Sequence, residues 1–175
     1  LDETVTERHF RRATMDDFEH IQENYAKARA RMAANGNPTQ WGSTFPREEV
    51  VKDDLEQGRT VLLVDEEQGQ ERILAQFALC TGIDPTYVSI DGAWLDDDEY
   101  VTIHRLAASG LAKRAAHDCL RWALDHYGNV RIDTHPNNLA MQHILETNGF
   151  ARCGLVQLID RDVDTTRISY QRHEW

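Results

Sequence analysis

The residue pattern predicts one mixed α/β domain over residues 1–175, with a mostly antiparallel sheet, one parallel strand pair and about four helices. Three observations predict it. The stretch from Tyr100 to Thr134 reads as strand, small-residue turn, helix and strand, a unit whose ends must lie parallel through a right-handed crossover. Thr60–Asp65 and Ile73–Thr81 form an apparent hairpin around Gly69, and two further strands close the chain as an antiparallel pair. A length of 175 residues suits one domain with a proper core, and no repeat, linker or low-complexity tract divides it.

Arg8 to Ala13 reads as the first strand. Thr14-Met-Asp-Asp17 is a capping arrangement for a helix running to about Ala34, which Asn35-Gly36-Asn37-Pro38 stops. Trp41 and Phe45 fall in the connection. Pro46 can open a second helix that ends at Gly58. After the hairpin, Asp84-Pro85 through Glu99 is a turn-rich connection. Val101, Ile103, Leu106 and Ala107 make the next strand, and Ser109-Gly110 is a polar, flexible junction. A helix follows, with Ala112, Ala116, Cys119, Leu120, Ala123 and Tyr127 at helical spacing and Gly128 near its end. Its start offers unpaired N–H groups and the positive end of a dipole, which together can hold a pyrophosphate. Val130–Thr134 is a short strand, Asn137–Asn148 a helix, and Phe150–Ile159 with Thr165–Gln171 the closing pair.

Composition narrows the function. With 41% hydrophobic and 28% charged residues, the chain is ordinary for a soluble globular protein. Nineteen Lys and Arg against 30 Asp and Glu give a net charge of −11, which speaks against a nucleic-acid partner. An anionic ligand would need a local positive site, for which Lys113, Arg114 and Arg121 are candidates. The acidic surplus could draw in a cationic or amine ligand, though solubility alone accounts for it. No apolar run reaches membrane-span length, and no basic-then-apolar leader opens the chain, so no membrane association is expected. Three widely spaced cysteines do not make a disulfide framework. The expected location is the cytoplasm.

Several motifs stand in one order. His104-Arg-Leu-Ala-Ala-Ser109 precedes Leu111-Ala-Lys-Arg-Ala-Ala116, then Asn138-Leu-Ala-Met141, then Gly149-Phe150. Together they resemble the GNAT family of acetyl-CoA-dependent N-acetyltransferases over nearly the whole chain. Ser109-Gly110, Lys113 and Asp133 to Asn138 echo a subgroup with a shortened S-G-x-x-K pyrophosphate loop and a D-T-H-P-x-N segment. The resemblance implies a central parallel pair splayed apart for the cofactor arm, and direct attack by the amine with both substrates bound. It implies acetyl-CoA as co-substrate and no metal. Leu106, Ala107 and Ala108 would face the pantetheine arm and the thioester oxygen. Leu111, Ala112, Lys113, Arg114, Ala115 and Ala116 would hold the pyrophosphate, and Asn138 would contact the cofactor arm or simply cap the helix beside it. The chain departs from the family in the loop, where Leu111 replaces Gln or Arg and Arg114 replaces the first glycine. Arg114 could obstruct the phosphate or add cationic hydrogen bonds to it.

Acetyl transfer to an amine needs a proton acceptor, a donor for the thioester oxygen and a proton or hydrogen bond for the departing sulfur. The family's usual glutamate and tyrosine are missing, with Val101 and Thr102 on the strand and Leu145 four residues before Gly149. His104 is the first candidate in their place, because imidazole titrates near working pH. A hydrogen-bonded strand histidine is the plainer alternative. His135 beside Pro136 and Glu99 at the strand entrance are the others; a turn-holding role and a solvated acidic run explain them equally. Trp41 and Trp94 lie in connections that would overhang an acceptor pocket, as its walls or as loop packing.

The expected acceptor is a small-molecule or peptide amine. A homodimer through exposed strands is compatible with the pattern, which carries no direct sign of one. Eight histidines raise a metal site, and His143 with Glu146 could put two ligands on one helix face, but such a pair is common by chance and no His-x-x-x-His occurs. Cys80 and Cys119 read as core, and no G-x-S-x-G elbow is present. The alternative from another class is a catalytically weak acyl-CoA-binding or regulatory module on the same fold.

Overall fold

The computed structural model describes residues 7–174. The strands are β1 His9–Arg12, β2 Thr60–Glu67, β3 Gln70–Thr81, β4 Asp91–Gly92, β5 Val101–Ala108, β6 Asn129–Thr134, β7 Ala151–Gln157 and β8 Thr166–His173. The helices are α1 Phe18–Ala34, α2 Glu48–Glu56, α3 Ala115–Tyr127 and α4 Leu139–Thr147, with short 3-10 turns at Met15–Asp17 and Pro85–Tyr87. All strands form one sheet in the order β1-β2-β3-β5-β6-β8-β7-β4. Among the described residues, only β5 and β6 run parallel. The expected fold class, a mostly antiparallel mixed sheet with a parallel pair and four helices, is the fold observed. Among the described residues, no helix is long and apolar enough to cross a membrane.

Alternation in β2 explains the two-sided core. Val61 and Leu63 face one way and pack with Phe77, Cys119, Leu120 and Ala123 of the α3 side. Leu62 and Val64 face the other, against Ile21, Tyr25 and Ala28 of α1 and Val51 and Leu55 of α2. The Thr14–Asp17 capping box is present, with the Thr14 N–H donating to Asp17 Oδ2 at 2.9 Å. The β2–β3 turn at Gln68-Gly69 has φ of 53° and 77°, the pairing that suits a right-handed two-residue hairpin.

Three elements differ from expectation. The second helix starts at Glu48 rather than Pro46, whose peptide bond is cis. Helix α3 starts at Ala115, because Arg114 sits at φ 61°, ψ 20° and no helix can run through a left-handed residue. The turn-rich connection also contributes β4, two residues that pair with β7. There Gly92 and Gly154 pass backbone to backbone. A Cβ on Gly92 would lie 2.2 Å from the Cys153 carbonyl oxygen, and one on Gly154 2.1 Å from that of Asp91.

Two features of β5 position the site. Its ladder with β6 holds only at Val101–Val130 and Thr102–Arg131, after which the strands diverge. On its other edge, Arg105 and Leu106 together oppose Phe77 of β3, a β-bulge. Arg105 takes φ 56° there. Its guanidinium makes a two-pronged pair with buried Asp54 of α2, at 2.7 and 2.8 Å, and its carbonyl accepts from the Tyr25 hydroxyl of α1 at 2.9 Å. Two helices therefore hold a backbone conformation that an arginine does not favour.

Candidate active site

The divergence of β5 and β6 opens two adjoining cavities. The first, ≈ 230 Å³, is lined by His104, Arg105 and Leu106 of β5, Asp133 and Thr134 of β6, Trp41, Phe45 and Asp84 from connections, and Arg161 and Arg167 from the β7–β8 turn and β8. The second, ≈ 250 Å³, lies between the end of β5 and α4, with Ala107, Ala108, Ala116 and Ala140 in its walls. Met32, Leu106, Asn138 and Met141 belong to both, so the two spaces meet at the bulge.

Small side chains shape the second cavity. Leu106 and Ala107 are buried and Ala108 half-buried, so little more than backbone bounds that side. Beyond it, residues 110–114 turn before α3. Leu111, Lys113 and Arg114 are exposed, Ala112 packs on the core, and Ala115 and Ala116 are buried in the first turn of α3. Arg114 reaches back to His117 Nε2 at 2.8 Å, and the Lys113 carbonyl accepts from Arg8 at 2.9 Å. Arg31 of α1, which the sequence did not single out, sets its guanidinium on the Ala108 and Ser109 carbonyls. Arg31 thus brings positive charge to the wall of the second cavity, while Lys113 and Arg114 lie in the exposed loop before α3. Arg121 is elsewhere, paired with Asp125 and Glu174 at 2.8 and 2.6 Å. Asn138 caps α4 by accepting from the Met141 N–H at 3.0 Å and donates to Gln40 Oε1 at 3.1 Å, between the two spaces.

The first cavity holds the titratable groups. His104 Nε2 lies 2.6 Å from Asp84 Oδ2, twenty residues earlier in the chain. Burial alone would raise the Asp84 carboxyl. His104, the Thr86 N–H and Arg105 together outweigh it and hold the acid below the usual carboxylate range. Asp133 accepts from the Tyr87 hydroxyl at 2.6 Å, and burial pushes its own acid up despite that bond and the nearby His104. The Tyr87 phenol is driven well up by burial and by Asp133. Trp94 lies outside the cavity lining, donating to the Tyr87 carbonyl at 3.0 Å with its ring 5.0 Å from the Tyr87 ring.

The remaining candidates are not brought to this cavity. His135 is buried, with Nδ1 accepting from the Asn137 N–H at 2.9 Å and Nε2 directed at Asp164 at 2.8 Å. Glu99 is exposed, and its backbone carbonyl accepts from Asn129 at 3.1 Å. Asp84, Tyr87, Asp133 and Arg167 are the site groups that sequence reasoning passed over as functional. Asp84 offered a signal, an Asp-Pro turn start, but nothing local ties it to a strand twenty residues on. Apart from this site, Asp96, Asp98 and His173 bring ligand-type atoms within 4.8 Å of one another, with His173 Nδ1 at 2.6 Å from Asp96.

This geometry has close counterparts among solved structures. An acetyltransferase of the GNAT family from Streptococcus agalactiae matches at 28% identity, covering 96% of each chain, with a TM-score of 0.81. A GNAT-family acetyltransferase from Listeria monocytogenes matches at 15% identity over 99% of this chain and 98% of its own, TM-score 0.71. A chain of the NatC complex bound to Gag peptide and CoA matches at 15% identity over 97% and 99%, TM-score 0.64. No family model and no curated protein matches the sequence. The fold is therefore a splayed-strand scaffold of the kind seen in GNAT-family acetyltransferases. More narrowly, the neighbours of this chain are GNAT-family acetyltransferases, and they support an N-acetyltransferase at the level of the family.

Proposed function

We propose that the chain transfers an acetyl group from acetyl-CoA to a primary amine, on a small molecule or a peptide, by direct attack in a ternary complex. The observation that carries this is the meeting of the two cavities at the β5 bulge, one walled by alanines with Arg31 among them, the other carrying His104. The second cavity suits the arm of acetyl-CoA: Ala107, Ala108 and Ala116 leave backbone accessible to an extended chain, and Arg31 in its wall, with Lys113 and Arg114 in the loop before α3, suits a pyrophosphate. The amide groups of the bulge, near Leu106, supply hydrogen bonds to the thioester oxygen as it gains charge.

His104 takes the amine proton. With Nε2–H given to Asp84, the other ring nitrogen, Nδ1, is the acceptor. Attack forms the N–C bond and breaks the C–S bond. The amine proton passes to His104, and the thiolate takes a proton from solvent. The acceptor must be uncharged to attack, and an alkyl ammonium with a pKa of about 10.4 makes that deprotonation the costly step near pH 7.

The test is thiol release from acetyl-CoA with a panel of amines, alongside calorimetric titration of acetyl-CoA alone. The expected result is binding and turnover, with His104→Asn lowering kcat by about 10²- to 10⁴-fold while leaving cofactor affinity unchanged. Tight binding with no turnover of any amine would leave the acyl-CoA-binding module as the reading.

A further inference from the structure

We propose that the acceptor is an amine of amino-acid size that also carries an anionic group, with Arg167 and Arg161 receiving that anion. This rests on the acetyltransferase reading and names the substrate class for the same site.

Arg167 is 2% exposed, the largest of the fully buried side chains, and lines the first cavity. Its Nη1 donates to the Asp164 and Thr166 carbonyls at 2.7 and 2.9 Å, and its Nη2 to the Gln40 carbonyl at 3.3 Å. Carbonyl dipoles orient a guanidinium but do not supply a counter-charge. Arg105 in the same cavity has its charge matched by Asp54 at 2.7 Å. Among the described residues, the hydrogen-bond partners of Arg167 and Arg161 are all backbone carbonyls.

Arg161 adds a second cation. It donates to the same Gln40 carbonyl at 2.6 Å, and its guanidinium lies 4.8 Å from the Phe45 ring centre. Burial and the neighbouring Arg161 push the Arg167 guanidinium down from its ordinary value, outweighing the opposing pull of Asp133, Asp164 and Asp160. Two repelling cations converging on one oxygen are at their lowest energy when an anion sits between them.

The same cavity also carries acids. Asp84 holds His104, and Asp133 accepts from Tyr87. Asp160 is exposed at the rim. The cavity therefore carries both signs, with acid and imidazole to deprotonate an amine and guanidinium to receive an anion. Its ≈ 230 Å³ lies below the range of about 300–1,000 Å³ common for drug-sized ligands, which favours a compact acceptor. A carboxylate and a phosphate share the chemistry that paired arginines recognise.

The experiment compares matched acceptors with acetyl-CoA: an α-amino acid against its carboxamide, and phosphoethanolamine against ethanolamine. The anionic member of at least one pair is expected to lead by about 10- to 100-fold in kcat/KM, the amount a charge-assisted bond carries. Which pair shows it identifies the anion. Arg161→Ala and Arg167→Lys are each expected to reduce that lead to within a few-fold, with acetyl-CoA affinity and turnover of the neutral amine retained. Arg161 is half-exposed, so its variant carries the test if the buried Arg167→Lys does not fold. Neutral amines turned over as well as anionic ones would overturn the proposal and leave the acetyltransferase reading standing. No turnover of any amine, with acetyl-CoA bound, would remove both.

Discussion

Arg114 shows how one residue's backbone can carry a family motif without its side chain. The family resemblance implies a glycine there, and Arg114 adopts a conformation glycine would take freely, at φ 61°. A left-handed non-glycine residue costs about 1–2 kcal/mol, and the extra freedom of an unfolded glycine gives back about 0.4–1 kcal/mol. Arg114→Gly is therefore expected to range from neutral to about 1.6 kcal/mol more stable by urea denaturation. Arg114→Val, with a β-branched chain in the same well, is expected to lose more than about 1 kcal/mol. Asp133 makes a pH-dependent prediction. Its folded pKa is raised by burial above the unfolded value, so its ionisation opposes folding as pH rises through that window. Asp133→Asn should raise Tm at pH 7 and lose the advantage below the ordinary carboxylate pKa, where the two proteins converge. Equal Tm values at both pH values would refute the assignment. His104 could be named from sequence because imidazole is chemically conspicuous. Asp84 and Asp133 could not, because their roles depend on His104 and Tyr87, partners separated from them by 20 and 46 residues.

At the scale of elements, the β5 bulge joins chemistry to packing. Asp54 of α2 holds Arg105, which holds the bend that turns Leu106 toward both cavities. Removing one partner of such a buried pair leaves an uncompensated charge, a loss of about 3–5 kcal/mol. Asp54→Ala is expected to destabilise by that order in denaturant unfolding and, on the proposed reading, to weaken acetyl-CoA binding, although Asp54 lines neither cavity. Unchanged stability would mean that the ion pair does not hold the bulge. The periodic elements were legible: alternation in β2, the capping box before α1 and the Gly69 turn each have a local cause. The bulge was not. It exists because β5 carries one more residue than β3 across that span, a property of two strands that neither sequence states alone. The start of α3 was misjudged for a related reason, since Ala112 continues the helical spacing while Arg114 interrupts the backbone.

For the whole molecule, the arrangement separates a rigid sheet from a cleft open along one strand junction. A ligand that binds only the folded chain adds stability by mass action, about 2.7 kcal/mol at 100 times its Kd. Saturating acetyl-CoA is expected to raise Tm accordingly on the proposed reading, and an unmoved Tm would count against the second cavity as its site. The net charge of −11 contrasts with the guanidinium groups that line both cavities, so the positive groups are local while the surface is acidic. The crossing of Gly92 over Gly154 bears on all of this. It leaves no room for even one methyl on either strand without backbone movement. The segment carrying Asp84 and Tyr87 is thus fastened to the sheet at a point that tolerates no side chain. In a saturation-mutagenesis map, these two positions, remote from the cavities, should stand out as intolerant as the catalytic ones. In hydrogen exchange, their alanine variants should loosen residues 84–95 while β2 and β3 keep their protection.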